Sequence, residues 1–516
     1  MNKEEKSPNK CPICGRPTHK KSKYCIFHAS AEEKTEKEFE QELKEYVNKI
    51  KKEDSDYDFK KFIFIGNINF KEDFNITIFK NADFMGATFE GNADFMGATF
   101  EGRADSIHFS FEKKVSFRKV TFKFYADFRK VKFERDRDAD FGDTIFKRDA
   151  SFKEATFKGK AFFWVAIFKR HAFFEKATFK EKAFFWETTF KEKADFGEAI
   201  FKEKADFREA IFKRDADFSE STFKGDVDFR IKTIKKDMIF SKALFNQGIT
   251  LEINTLKIMN KVVIKFDNAY LENVYLELIL GKKTSIYFNT KKILQNIVIK
   301  GNQIKNHIFQ EEWKEFVQAK EIYLRLKNNF HSIGKYDDES WAFKKEKDME
   351  RLSQSFTYYK STLKNKDKKK DFPIIKWIKK GYFKKWIVSA FSNMIYGYGE
   401  KPWNVILSAG ALIILFAYFF TLIGIGNPEI IELHGKIHPI PGTDMRLTSE
   451  GVLQNVKVMQ FSNCLYFSLI TFTTLGYGDF RPLEGWGRIL AGSEAFIGGF
   501  MMALFVYTFA RRTGGR

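Results

Sequence analysis

Phenylalanine recurs every 11 residues through the middle of this chain, and that period constrains the fold more than any other feature. It falls at Phe84, Phe95, Phe117 and Phe128, then at each eleventh position from Phe141 to Phe240. A two-residue insertion separates Phe128 from Phe141, and Ser106 holds the missing slot. A second series runs five residues behind, from Phe89 to Phe245, with Ile234 in its gap. Alanine usually stands two positions before each ring, as in Ala82-Asp83-Phe84 and Ala87-Thr88-Phe89, so the unit reads A-D-F-x-x-A-T-F-x-x-x. One unit cannot bury its rings alone, but stacked units share a continuous aromatic interior. Such a stack, not an ordinary core, accounts for 62 Phe among 516 residues.

The unit resembles that of the pentapeptide-repeat family, A-(D/N)-(L/F)-x-x, over residues 59–245. The resemblance implies a right-handed β-solenoid with the small residue and the ring inward. The alternation of five and six residues is expected to give about 22 residues per coil, the extra residue bulging at alternate corners. Phe163, Trp164 and Trp186 read as ordinary surface rather than a binding patch. Aromatics among lysines also suit single-stranded nucleic acid. Here the ring register is spent on the interior, so nucleic acid is not an expected partner. Residues 246–310, with β-branched runs such as Ile249–Ile253 and Val262–Lys265, read as irregular strands that cap the solenoid's open edge.

Ahead of the repeats, residues 1–30 carry Cys11-x₂-Cys14 and Cys25-x₂-His28. Two such pairs offer the four ligands of a closed structural Zn²⁺ site, with His19 as a competing ligand. The alternative is a set of free cytosolic thiols. Residues 31–54 place Phe39, Leu43, Val47 and Ile50 on one helical stripe, read as a capping or docking helix. The few cysteines do not form a disulfide framework.

Near the C-terminus the chain reads Thr473-Thr474-Leu475-Gly476-Tyr477-Gly478-Asp479. A Gly-Tyr-Gly triplet alone is a weak signal; its flanks decide. Phe461–Thr474 is uncharged and aromatic-rich, as a pore helix requires. Trp403–Pro428 carries no charge over 26 residues, enough to cross the bilayer core, and a second apolar run starts near Ile489. The order is span, pore helix, loop, span, and it resembles that of two-span potassium channels. Their filter is usually T-V-G-Y-G, so Leu475 replaces the Val. The resemblance implies a filter of Thr474, Leu475, Gly476, Tyr477 and Gly478, flanked by Thr473 and Asp479, in which carbonyls from four chains replace the hydration shell of K⁺. It also implies a homotetramer and an inner-helix hinge at Gly498 and Gly499, for which close helix packing is the alternative.

Glu494 is the only charge within the second span. Potassium channels often keep an acid behind the filter, in a slot that holds Ile470 here. Glu494 either approaches the filter from the inner helix or simply bonds to neighbouring groups without a modulatory role.

The net charge of +21 is partly a membrane signature. Lys364–Lys385 holds ten Lys against two Asp, while Glu429–Lys457 holds four acids and three bases. The positive-inside rule then puts both termini in the cytoplasm of a multi-pass cell-membrane protein in contact with lipid. No apolar leader is read in the first 50 residues. Between solenoid and pore, residues 311–363 read as an αα-hairpin broken at Gly334, residues 364–400 as a basic amphipathic juxtamembrane segment, and residues 401–516 as the pore domain.

The fold class is therefore multidomain: a β-solenoid followed by an all-α two-span pore with a re-entrant helix and filter. The expected function is passive K⁺ conduction, with the repeats as a regulatory or assembly module for an unidentified cytoplasmic partner. The alternatives are a membrane-anchored scaffold and a non-selective cation channel. No nucleotide fingerprint and no nucleophile–base constellation stands out, so the chain does not read as an enzyme.

Overall fold

A computed structural model of the chain describes residues 10–102, 104–105, 110–134, 138–253, 261–271, 274–280, 283–289, 297–299, 301–363, 373–427, 443–444, 456–458 and 460–514. Ser106, the basic run at 364–372 and most of the 429–457 segment lie outside the described residues. The chain forms two compact units, residues 1–339 and 340–516.

The first unit is a parallel β-solenoid with four faces, built, among the described residues, from sheets of 11, 9, 10 and 8 strands. Most strands are two residues long, such as Ala172–Phe173 and Thr178–Phe179. Each pairs in parallel with its equivalent one coil on, as in Ala150↔Ala172 and Ala172↔Ala194, so a coil takes 22 residues. Corners of two kinds alternate. The second residue after each first-series ring except Phe229 has left-handed φ, supplied by Gly86 and Gly97 and then by residues such as Glu154 (59°) and Lys176 (59°); after Phe229 the strand runs on through Ile231.

The interior is a set of ring columns. Phe163 stacks on Phe185 one coil away, centroids 5.0 Å apart and planes 2° apart, and meets Phe152 edge-on at 5.2 Å and 86°. Both geometries satisfy the ring quadrupole. Phe163 is 0% exposed and belongs to the core, so its reading as surface is corrected; the outer ring of that coil is Phe162. Ile234 fills its slot in the column and is buried.

A fully enclosed ring is costly to remove. Phe174 stacks between Phe152 at 4.9 Å and Phe196 at 4.8 Å. Phe174→Ala is expected to destabilise the solenoid by ~3–5 kcal/mol. In a quasi-one-dimensional stack the loss stays local, so hydrogen exchange should quicken in the neighbouring coils first. Unchanged protection there would refute the column as the source of stability.

Both ends of the stack are covered. At the start, helix α1 (Glu36–Glu53) is capped by Thr35, which with Glu38 forms a capping box. Its stripe Phe39, Leu43, Val47 and Ile50 is buried, and Tyr46 donates to Asp58 O at 2.8 Å. At the far end the structure is more ordered than the irregular strands expected. Ile249–Ile253 and Leu276–Leu280 continue one face, and Val262–Asp267 and Thr284–Asn289 another, all parallel and in register. Helix α2 (Phe316–Ser332) then supplies Asn329, which pairs with both the N–H (2.8 Å) and the C=O (2.9 Å) of Ile297. A side-chain amide thereby stands in for a further strand. Helix α3 (Tyr336–Ser353) follows a turn in which Gly334 has φ +70°.

The second unit is mainly helical. Helix α4 (Tyr382–Tyr396) leads through an elbow, Gly397-Tyr398-Gly399, whose three φ values are all positive. Helix α5 (Pro402–Ile423) starts with Pro at its first turn, where a missing N–H costs nothing. Its 22 residues extend about 33 Å. Helix α6 (Phe461–Phe472) and helix α7 (Trp486–Gly514) complete the set. The core joins Phe416 and Phe420 of α5, Cys464, Phe467 and Ile470 of α6, and Ala491 of α7. One addition to the expected all-α arrangement is a small antiparallel sheet, in which Ile425–Asn427 pairs with Val456–Val458 and with Arg481–Pro482.

Candidate functional site

The loop after α6 is built by hydrogen bonds to the helix end. Leu475 N–H donates to Ile470 O at 2.9 Å, and Thr473 Oγ1 donates to Leu469 O at 2.8 Å. Along the loop φ is positive at Thr474 (57°), Gly476 (51°) and Gly478 (83°), alternating with Leu475 and Tyr477, where it is not. Backbone that alternates between left- and right-handed conformations turns successive N–H groups to one side and successive carbonyls to the other. A Cβ at Gly476 or Gly478 would meet nothing within 4 Å, so glycine is needed there for conformation, not for space. Thr474 takes the same conformation at the steric cost of a side chain, which sequence reading did not foresee. Leu475 (60%) and Tyr477 (69%) point outward from the single chain. Asp479 accepts from Phe480 N–H at 3.1 Å.

Behind the loop stands Glu494 of α7, 0% exposed. Its Oε1 lies within hydrogen-bond reach of Ser468 Oγ on α6, and Ser468 Oγ also reaches Ile413 O of α5 at 2.8 Å. Glu494 Oε2 has no hydrogen-bond partner among the described residues. Ser468, which ties three helices together at one hydroxyl, was not singled out from sequence. The available signal was a hydroxyl in a pore-helix run, two residues before the Ile470 slot.

Gly498 and Gly499 have different surroundings. A Cβ on Gly498 would lie 1.9 Å from Phe472 O, at the end of α6; one on Gly499 would meet nothing within 4 Å. Close packing therefore requires Gly498. Gly498→Ala is expected to cost ~1–3 kcal/mol through overpacking. Gly499→Ala should be neutral or stabilising by up to ~1 kcal/mol, since Ala favours the helix. Thermal unfolding of the two variants in detergent distinguishes them, and equal effects would contradict the packing argument. At the end of α7, Arg511 pairs with Glu400 at 3.0 Å and lies 4.4 Å over the Phe343 ring. This contact also escaped the sequence reading, because a terminal Arg normally reads as a solvated charge.

The second constellation is at the N-terminal end of the solenoid. The ligand atoms of Cys11, Cys14, Cys25 and His28 all lie within 4.8 Å of one another. His28 Nδ1 faces the three sulfurs at 3.1–3.6 Å, and its Nε2 lies 3.0 Å from Lys60 O. Donation from Nε2–H to that carbonyl leaves the Nδ1 lone pair aimed at the thiols, the tautomer a metal-ligating His needs. Burial lowers the His28 pKa and so keeps the ring neutral, and burial also pushes the Cys25 thiol up to about 12. The knuckle is tied to the first coil. Phe27 stacks on Phe62 at 4.6 Å, Ile63 N–H donates to Phe27 O at 2.8 Å, and buried Lys34 donates to Ile26 O (2.9 Å) and Ile63 O (2.6 Å). His19, the competing ligand, is not in the cluster; it lies 3.9 Å from Glu38.

Comparison with known proteins agrees with these two parts. Residues 440–514 match the family model described as ion channel. Residues 108–156 and 185–230 match pentapeptide repeats (9 copies). No curated protein and no solved structure matches the chain. Among the described residues two helices, Pro402–Ile423 and Trp486–Thr513, are long and apolar enough to cross a membrane, and with the channel match they point to a membrane location. The chain thus carries an ion-channel domain at its C-terminal end, preceded by pentapeptide repeats wound into a parallel β-solenoid.

Proposed function

We propose that this chain is a potassium-selective channel acting as a homotetramer. The reading rests on the alternating backbone of Thr474–Gly478, which closes a pore-length helix between two helices of spanning length. One such loop cannot surround an ion; four related by rotation make stacked rings of carbonyls that substitute for water around K⁺. Leu475 contributes only its main chain to those rings, so its difference from Val leaves the chemistry unaltered. Thr474 Oγ1 donates to Thr473 O at 2.7 Å, which leaves its lone pairs for the innermost ring. Asp479 at the mouth raises the local cation concentration. Outward-facing apolar residues such as Leu407, Phe496 and Phe500 suit lipid and neighbouring copies. Both termini, with the solenoid, lie on the cytoplasmic side in this reading.

The test is the reversal potential of reconstituted protein in mixed K⁺ and Na⁺. Selective K⁺ flux supports the proposal. Equal passage of Na⁺ would make this a non-selective cation channel, and no flux at all would favour the membrane-anchored scaffold.

Glu494 is assigned a positioning role behind the loop, because its carboxyl joins α7 to α6 through Ser468. Glu494→Gln keeps the shape and removes the charge. It is expected to alter open probability or filter inactivation with little change in selectivity. Unaltered gating in this variant would make the group structural.

Zinc is assigned to Cys11, Cys14, Cys25 and His28, whose three sulfurs and one imidazole nitrogen suit a closed structural site. When bound, the metal would serve as a covalent-strength crosslink within a segment too short to hold its own core. Because a thiol ligates only as thiolate, uptake displaces the Cys25 proton and weakens as pH falls.

A further inference from the structure

One band of the solenoid wall departs from the repeat. Along one face the residue after the inward Ala, Ile or Val is Asn69, Asp94, Ser116 and Asp140, and again Asp206 and Asp228 further on, but Phe162 and Phe184 in between. These two rings stack flat at 5.0 Å and are not part of the core columns. At the adjoining corner stand Trp164 and Trp186, linked by Val165 N–H donating to Trp186 O at 2.9 Å. Between the Phe pair and the Trp pair lies a recess of about 300 Å³. Asp140 and the Asp206–Arg208 pair also line it.

The charges in this recess are unequal. Arg208 clasps Asp206 through Nε (2.9 Å) and Nη2 (2.6 Å), so that pair is self-neutralised. Asp140 accepts from Gly142 N–H (2.8 Å) and Trp164 Nε1–H (3.4 Å) through Oδ1 alone, and it forms no ion pair among the described residues. The uncompensated charge is therefore negative, on a chain of net charge +21.

One ring of this band already holds a cation, and so does an outer ring elsewhere on the solenoid. The Arg118 guanidinium lies 4.7 Å over Trp164, and on another face Lys153 Nζ lies 5.0 Å from the outer ring Phe173. A Cβ on Gly142 would sit 2.4 Å from Trp164 Nε1, so glycine makes room for the indole at this corner. Trp186 is the most exposed of the four rings at 37%, and it carries no cation among the described residues. Free aromatic faces beside a lone carboxylate are the chemistry of organic-cation recognition.

We propose that this recess binds a small organic cation, an alkylated ammonium or a guanidinium, held against Trp186 and the Phe162–Phe184 pair with Asp140 as counter-ion. A free phosphate or nucleotide is disfavoured by the same carboxylate, whereas a neutral sugar would stack on the rings and donate hydroxyls to Asp140 but leave its charge uncompensated. The site lies outside the conducting domain, and the inference does not depend on ion selectivity.

Full-length protein in detergent micelles is titrated by calorimetry with tetramethylammonium and with arginine amide, at ionic strength matched with NaCl. One saturable site per chain is expected for at least one probe. Trp186→Ala and Asp140→Asn should each weaken binding about tenfold, while Trp186→Tyr, which keeps a ring, should retain it. Circular dichroism verifies that the variants keep the solenoid, and the Tyr variant carries the test if the Ala variant does not fold. Absence of binding by both probes, wild-type affinity in Trp186→Ala or in Asp140→Asn, loss of binding in Trp186→Tyr, or comparable binding of glucose would each overturn the proposal.

Discussion

Gly478→Ala is expected to abolish selective K⁺ conduction, whereas Leu475→Val should leave it intact. Gly478 has φ +83°, where an L-residue costs ~1–2 kcal/mol. If four copies form one pore, the cost adds to ~4–8 kcal/mol at a single ring, enough to rotate the peptide and withdraw its carbonyls. Gly476→Ala, at φ +51°, should behave in the same way. The Leu475 side chain makes no such demand. Flux assays and reversal potentials on reconstituted protein separate the cases. Wild-type selectivity in Gly478→Ala would mean that this loop does not line the ion path.

Chelation should have the second large effect, at the other end of the molecule. A structural zinc is worth ~10–16 kcal/mol in peptides of this kind. Purified protein is expected to hold one zinc per chain, and a strong chelator or Cys25→Ser should release it. The knuckle would then let go of Lys60 O, Phe62 and Ile63, all on the first coil. Hydrogen exchange at residues 57–65 should rise sharply, while that around Phe174 should not, since each coil depends mainly on its neighbours. Zinc-free protein with full protection at the first coil would defeat the assignment. Acidification should mimic the chelator, because Cys25 must give up a proton held at about 12 in order to ligate.

These expectations differ in how far they were visible beforehand. The ring columns were visible because the requirement repeats: every eleventh residue must fill the same interior slot, and Phe174 looks like Phe185 and Phe196 in the sequence itself. The loop was visible because its constraint is local, with glycines at alternate positions and apolar runs on both sides. Which ring of a Phe-Phe pair faces outward was not secure. Read as one of two adjacent aromatics, Phe163 goes to the surface, yet it is enclosed: its place eleven residues from Phe152 and Phe174 decides, and Phe162 is the outer ring. Thr474 gave no local sign of a left-handed φ, which the surrounding helix end imposes on it.

Composition, period and motif determined that this chain is a stacked aromatic rod joined to a span–loop–span segment, because those properties arise from neighbours along the chain. Only the tertiary structure decided that Ser468 meets Glu494, that Phe472 forbids a side chain at Gly498, that His28 turns its Nε2 to Lys60, and that Asp140 lines a recess with four rings and, among the described residues, no cation paired to it. In each case the groups lie more than 20 residues apart, and no pattern in the intervening sequence records which of them packing will bring together.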